Sequence, residues 1–170
     1  MTWFAERFDT PLGEMVAVTD EAGCLRALDW VSHRDRMDRL LAMQPDYRAP
    51  VGSAATVIGS SVQRYFNGDL EALIGLAVAV FGTAFQQNVW RALRTLPPAQ
   101  TITYRTLAGQ IGRPAAIRAA GAANGANPIS IVVPCHRVIG SDGRLTGYGG
   151  GIARKQWLLA HEARSINGRA

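Results

Sequence analysis

The texture of this 170-residue chain changes at Thr83, and that break limits what it can fold into. Before it, short apolar runs alternate with turns. Residues 3–8, 15–19 and 25–31 have strand composition, separated by Thr10-Pro11-Leu12-Gly13 and Asp20-Glu21-Ala22-Gly23. Met37, Leu40 and Leu41 follow helical spacing, as do Val57, Ile58, Ser61, Val62 and Tyr65 ahead of Asn67-Gly68. Residues 76–81 read as one more strand. From Thr83 onward the signals are helical. Thr83 and Gln86 have capping-box spacing for a helix bearing Phe85, Val89, Trp90, Leu93 and Leu96, and Pro97-Pro98 stops it. Residues 103–111 form a second short helix, ended by Gly112-Arg113, and Pro114 opens a third over 115–124. Two short helices about a tight glycine turn are the helix-turn-helix pattern. Residues 152–162 make a closing amphipathic helix, with frayed polar residues beyond it. The expectation is an α+β chain: a small N-terminal α/β domain with a short antiparallel sheet (1–82) and a mostly helical domain with a helix-turn-helix (83–170).

Charge divides at nearly the same place. Residues 1–84 hold seven Arg against eleven Asp and Glu, whereas residues 85–170 hold ten Arg and Lys155 against only Asp142 and Glu162. A basic half joined to an acidic half points to a polyanionic partner for the C-terminal part. With 48% apolar residues the chain can bury a core, yet no run is long enough to span a bilayer. The first residues lack the basic start and apolar centre of a signal peptide, and two cysteines allow one disulfide at most. A cytoplasmic protein with free thiols is expected. Cys24 and three scattered His do not have metal-ligand spacing, so no metal is expected.

The residues that carry chemistry follow the third helix. Ile129 to Val133 read as a buried extended segment, and Pro134 fixes the backbone for a helical turn. Cys135 then sits near a helix N-terminus, which favours the thiolate, with His136 beside it as a proton acceptor. Cys24, in Gly23-Cys24-Leu25, reads as a small buried hydrophobe. The helix upstream carries Arg118 among Ala115, Ala116, Ala119, Ala120, Gly121, Ala122 and Ala123. Readers of base sequence in the major groove need several long polar side chains. This helix is better suited to sequence-independent, minor-groove binding. Gly149-Gly150-Gly151 is either a linker or backbone lying against something flat, and no phosphate-loop pattern accompanies it.

Asn127-Pro128 and the run from Ile129 through Pro134-Cys135-His136-Arg137-Val138 to Gly140 resemble the active-site stretch of the 6-O-alkylguanine-DNA alkyltransferases. The likeness extends to Phe85 through Trp90, Tyr104, Arg118, Thr146 through Gly151, and Trp157 through Glu162, covering about residues 82–162. The resemblance implies a ribonuclease-H-like N-terminal domain and direct reversal of DNA damage without a cofactor. Cys135 would take the alkyl group from 6-O-alkylguanine, or from 4-O-alkylthymine, and keep it. His136 would act as base through a water, oriented by Glu162, and Asn127 would hold the turn. Tyr104 would help swing the nucleotide out and protonate the leaving guanine. Arg118 would fill the vacated space, with Ala119, Gly121, Tyr104, Arg137 and Lys155 also on the DNA. Pro134, Val138, Tyr148 and Gly149 would line the base pocket. The partner would be double-stranded DNA bearing alkylated bases, held by its minor groove, and the protein a monomer able to cluster along it.

Three positions depart from that family's pattern. Ile117 stands where Ala is frequent, Ala99 where Gly is usual, and Gly149 where some members have Ser, which would widen tolerance for larger alkyl groups. Two rival classes use some of the same residues. A lesion binder that transfers nothing is opposed by Cys135 itself, and a thiol hydrolase has no need of a basic helix-turn-helix. His161 is expected to be a structural residue of the last helix, and His33 a surface residue.

Overall fold

The computed structural model describes residues 2–52, 57–79 and 81–168, and they fall into two compact units. The first comprises Met1–Phe81 with Pro128–Val132 spliced in from far along the chain, and the second comprises Gly82–Asn127 and Val133–Ala170.

In the first unit β1 (Trp3–Phe8), β2 (Met15–Asp20) and β3 (Leu25–Trp30) form an antiparallel meander in that order. The β1–β2 turn closes where Gly13 N–H donates to the Thr10 carbonyl at 3.0 Å. At the next turn the Asp20 carboxylate accepts from the N–H groups of Ala22 and Cys24, each at 3.0 Å, doing the work of a backbone turn. Every residue of β2 is buried, because the central strand is covered on both faces. Helix α1 (Arg34–Ala42) sets Met37 and Leu41 onto Trp3, Val16, Val18 and Ala27. Helix α2 (Val57–Phe66) buries Ile58, Val62 and Tyr65, with Val57 exposed. Cys24 is half-buried rather than a core residue.

Two expected extended segments turn out otherwise. The described residues of 76–81 make no strand; around Val78 a single bridge holds them to β3, with Leu25 N–H donating to Ala77 at 2.8 Å. Val80 lies outside the described residues. Residues 129–133 are buried as expected but not extended. Only Ile129 bridges to β3, at Leu28, and the chain then turns through Ile131 at φ +68°. A β-branched residue is rarely left-handed, and its complete burial holds it there. Both segments cover the outer edge of β3, which would otherwise present unpaired backbone groups.

Asp29 anchors that arrangement. Its buried carboxylate accepts from Arg36 Nη1 at 2.6 Å, from its neighbour's N–H (Trp30) at 2.9 Å and from Ser130 Oγ at 3.3 Å. An Asp29→Ala chain is expected to lose about 1–3 kcal/mol, because the buried acceptor that ties Arg36, Ser130 and the Trp30 N–H together is gone. A denaturant midpoint equal to the parent's would contradict that.

The second unit packs α3 (Ala84–Arg94), α4 (Tyr104–Gln110) and α5 (Ile117–Gly125) together, and α6 (Ile152–Asn167) closes the chain. The Thr83 capping box is formed in both directions. Thr103 caps α4 by accepting from Thr106 N–H at 3.1 Å. Helix α5 starts two residues later than Pro114 suggested, since residues 113–116 first close a turn. Trp90 Nε1 donates to the Ala123 carbonyl at 2.9 Å and ties α3 to α5. Helix α6 runs past Glu162 to Asn167, so the residues expected to fray are helical. Among the described residues no helix is long and apolar enough to cross a membrane.

Candidate active site

A short parallel pairing brings the site together. Strand β4 (Ile102–Thr103) lies beside β5 (Val138–Ile139), so the first residue of α4, Tyr104, stands next to the segment leaving Cys135. Cys135 opens a three-residue 3-10 turn, Cys135–Arg137, with Pro134 just ahead of it. This is less helix than the sequence suggested, and so short a turn supplies little dipole. Hydrogen bonds hold the thiol instead. Asn127 Nδ2 donates to the Val133 carbonyl at 2.8 Å and to Cys135 Sγ at 3.1 Å, and Asn124 Nδ2 donates to the Cys135 carbonyl at 3.3 Å.

Below the thiol lies a buried ionic network. Glu162 and His136 are both fully buried, and His136 Nε2–H donates to Glu162 Oε1 at 2.7 Å. The carboxylate can only accept, so Nε2 carries the proton and Nδ1 is left as the basic nitrogen. Nδ1 is buried and has no hydrogen-bond partner among the described residues. Arg137 donates from Nε to both Glu162 oxygens, at 3.2 and 3.0 Å, from Nη2 to Oε1 at 2.8 Å, and from Nη1 to the Leu96 carbonyl at 2.7 Å. Ala99 N–H adds a further bond to Glu162 Oε2 at 2.8 Å. Ala99 makes that bond from the left-handed region, at φ +61°. A side chain there costs about 1–2 kcal/mol, which explains why glycine is the natural choice at this turn.

These surroundings fix the charge states. Burial lowers the His136 pKa below its ordinary value, against the pull of Glu162, and keeps the ring neutral. Burial alone would raise Glu162; the hydrogen bonds and charge of His136 and Arg137 outweigh it and hold the carboxyl well below the usual carboxylate range. Tyr104 is raised by burial, partly offset by its hydrogen bond to Thr146.

The outer wall comes from α4, α5 and the glycine-rich loop. A cavity of about 570 Å³ is lined by Tyr104, Ile117, Arg118, Gly121, Gly125 and residues 146–149. Tyr104 O–H donates to the Thr146 carbonyl at 2.8 Å. Gly147 takes φ +54°, and the turn rather than lack of room calls for glycine, since a Cβ there would meet Tyr104 Oη at an ordinary 3.7 Å. Arg118 and Ala119 are exposed on α5.

Several expected assignments change. Arg137 is 6% exposed and spent on Glu162 and Leu96, so it is a structural clamp and not a DNA contact. Lys155 is fully buried, its ammonium donating to the carbonyls of Val138 at 2.6 Å and Thr146 at 2.9 Å, and it too is unavailable to DNA. Of the four base-pocket residues, Tyr148 and Gly149 line the cavity, while Pro134 and Val138 are buried outside its lining. His161 is 7% exposed and stacks on Trp157 at 5.0 Å. Asn124 was missed. Its signal was present: Ala120, Ala123 and Asn124 share one buried face of α5, and an Asn on a buried alanine face needs a polar partner.

The fold and site define a thiol-centred protein: a buried cysteine held by Asn127, followed in the chain by a buried imidazole–carboxylate pair, inside a helix-turn-helix unit. Residues 84–164 match the model of the family described as 6-O-methylguanine DNA methyltransferase, DNA binding domain. The chain is 51% identical over 160 residues to the methylated-DNA–protein-cysteine methyltransferase of Salmonella typhimurium, covering 92% of this chain and 94% of that protein. It is 40% identical to the Methanosarcina barkeri protein of the same name, over 93% of this chain and 96% of that one. A crystal structure of Mycobacterium tuberculosis OGT in complex with DNA superposes with TM-score 0.78 at 38% identity, covering 95% of this chain and 94% of that one. The chain therefore belongs to the methylated-DNA–protein-cysteine methyltransferase family.

Proposed function

We propose that this protein repairs alkylated duplex DNA by moving the alkyl group of 6-O-alkylguanine onto Cys135, once per molecule. The observation that carries the reading is the sequence of buried contacts behind the thiol: Asn127 on Sγ, and His136 with a free basic Nδ1 backed by Glu162.

A carbon on guanine oxygen cannot meet a buried thiol from inside a base stack, so the nucleotide leaves the duplex. The cavity between α5 and the 146–149 loop receives it, and Arg118, exposed at the cavity's edge, takes the vacated space. Helix α5 presents Ala119 and Gly121 beside Arg118, which lets backbone approach the minor groove without reading sequence. A lesion in any sequence context requires no more. The thiol proton leaves through water by way of His136 Nδ1, which hands it on to solvent and returns to its neutral form. The C–S bond forms as the O–C bond breaks, and the electron pair goes to guanine, which takes a proton from Tyr104. The thioether has no route back, so the molecule is a stoichiometric reagent that requires no cofactor. 4-O-alkylthymine offers the same electrophilic carbon.

The test is intact-protein and peptide mass after mixing with excess duplex containing 6-O-methylguanine. One added methyl per chain, on the Cys135 peptide and saturating at one equivalent, is the expected result. Tight binding with unchanged mass would make the protein a lesion binder.

A further inference from the structure

Lys155 is the chain's only lysine among seventeen arginines, and it is fully buried. Its ammonium donates to the Val138 and Thr146 carbonyls and lies 5.8 Å from the centre of the Tyr104 ring. None of these partners is an anion, and no carboxylate among the described residues pairs with it. A buried cation held by dipoles alone is costly unless a counter-charge is near.

The charges that face it define where that counter-charge must be. Glu162 is matched by Arg137, which binds it through two nitrogens. His136 is neutral, and Tyr104 is a neutral phenol whose hydroxyl shares the Thr146 carbonyl with Lys155. With Cys135 as a thiol the buried groups sum to one positive charge. With Cys135 as a thiolate they sum to zero.

We infer that Lys155 is the counter-ion of Cys135: its buried ammonium, fixed between the carbonyls of Val138 and Thr146, holds the thiol in its ionised form. The coupling is electrostatic and runs both ways. Burial pushes Lys155 down, and the Cys135 charge pushes it back up. What the thiolate does for the ammonium, the ammonium does for the thiolate. A lysine suits this place better than an arginine, since a compact point charge fits between two carbonyls where a planar fork does not. Lys155 is a positioning residue, acting on the reacting sulfur through the field. It also joins the turn that carries Cys135 to the loop that walls the cavity.

The inference rests on Cys135 as the reacting group, but its tests involve neither DNA nor an alkylated base. Failure of repair and failure of this coupling are therefore separately visible. In a Cys24→Ala background, the pH dependence of iodoacetamide labelling reads the Cys135 thiol. Lys155→Met is expected to raise its apparent pKa by at least about one unit, a tenfold loss of thiolate at lower pH, with the limiting rate at high pH retained. A merely structural role would lower the rate at every pH. An unchanged titration in a folded Lys155→Met protein overturns the inference. A second measurement does not depend on that variant folding. The single lysine gives one side-chain signal in a ¹³C-lysine-labelled protein, and Cys135→Ser is expected to lower its pKa by about one unit or more. A lysine signal indifferent to Cys135→Ser also overturns it.

Discussion

A Cys135→Ala chain is expected to transfer no alkyl group and to bind duplex DNA as the parent does. Cys135 is 4% exposed, so its sulfur presents almost nothing to a surface ligand. Asn127 keeps its bond to the Val133 carbonyl, and Asn124 keeps its bond to the backbone carbonyl of residue 135. The turn therefore retains its supports, and the lost atom leaves a space smaller than a methylene pair, costing about 1 kcal/mol. The exposed basic groups of the helix-turn-helix face, Arg118 among them, are untouched. Each phosphate that such groups neutralise contributes about −0.9 to the log–log salt slope. The variant should share the parent's slope as well as its affinity. Two titrations against 6-O-methylguanine duplex at different salt, with a radiolabelled transfer assay beside them, make the comparison. Residual transfer would put the nucleophile elsewhere.

The sequence showed the helical half more clearly than the strand half, for physical reasons. Thr83, Thr103 and Pro97-Pro98 are local signals whose effect is settled within a few residues, and the helices start and stop where they say. The three meander strands were visible because turn residues bound each short run, but the segments at the edge of the sheet, residues 76–79 and 129–133, were not. Both are apolar, but what they bury against is β3, distant in sequence, and an apolar run does not encode whether it extends or turns against such a partner. Cys135, His136 and Asn127 could be read from one contiguous stretch and the family resemblance it carries. Arg137 and Lys155 could not be placed, because a basic residue looks the same whether it faces phosphate or a buried carbonyl. Burial of those two cations is a tertiary fact, and it changes their roles from DNA contacts to supports of the site. Ala99 shows the reverse case: a departure from glycine, visible in sequence, acquires its reason only when φ +61° and the bond to Glu162 are seen.

Glu162→Gln is expected to be the most damaging change behind the thiol, for stability and activity together. The carboxylate accepts from His136, from two nitrogens of Arg137 and from Ala99 N–H. A neutral amide leaves the buried Arg137 guanidinium with the Leu96 carbonyl and no anion, and it turns donors toward donors. Breaking a buried pair in this way costs about 3–5 kcal/mol. For a chain of this size that lowers Tm by roughly 6–20 °C. Transfer should fall by about 10²–10⁴, the range of a general base, since His136 loses the partner that fixes its tautomer. Adding Arg137→Met should return part of the stability, because the orphaned charge is gone, and none of the activity. The pH dependence separates the contributions. In the folded parent His136 and Glu162 both bind protons more weakly than in the unfolded chain. Stability from His136 is complete above about pH 6.5 and is lost as pH falls below it; stability from Glu162 is complete above about pH 4.3 and is lost below that. Denaturant midpoints from pH 7 to 3 should therefore fall in two stages for the parent. The Glu162→Gln chain starts lower and lacks the second stage. If it unfolded at the parent's midpoint, the carboxylate would not be what holds Arg137 and His136 in place.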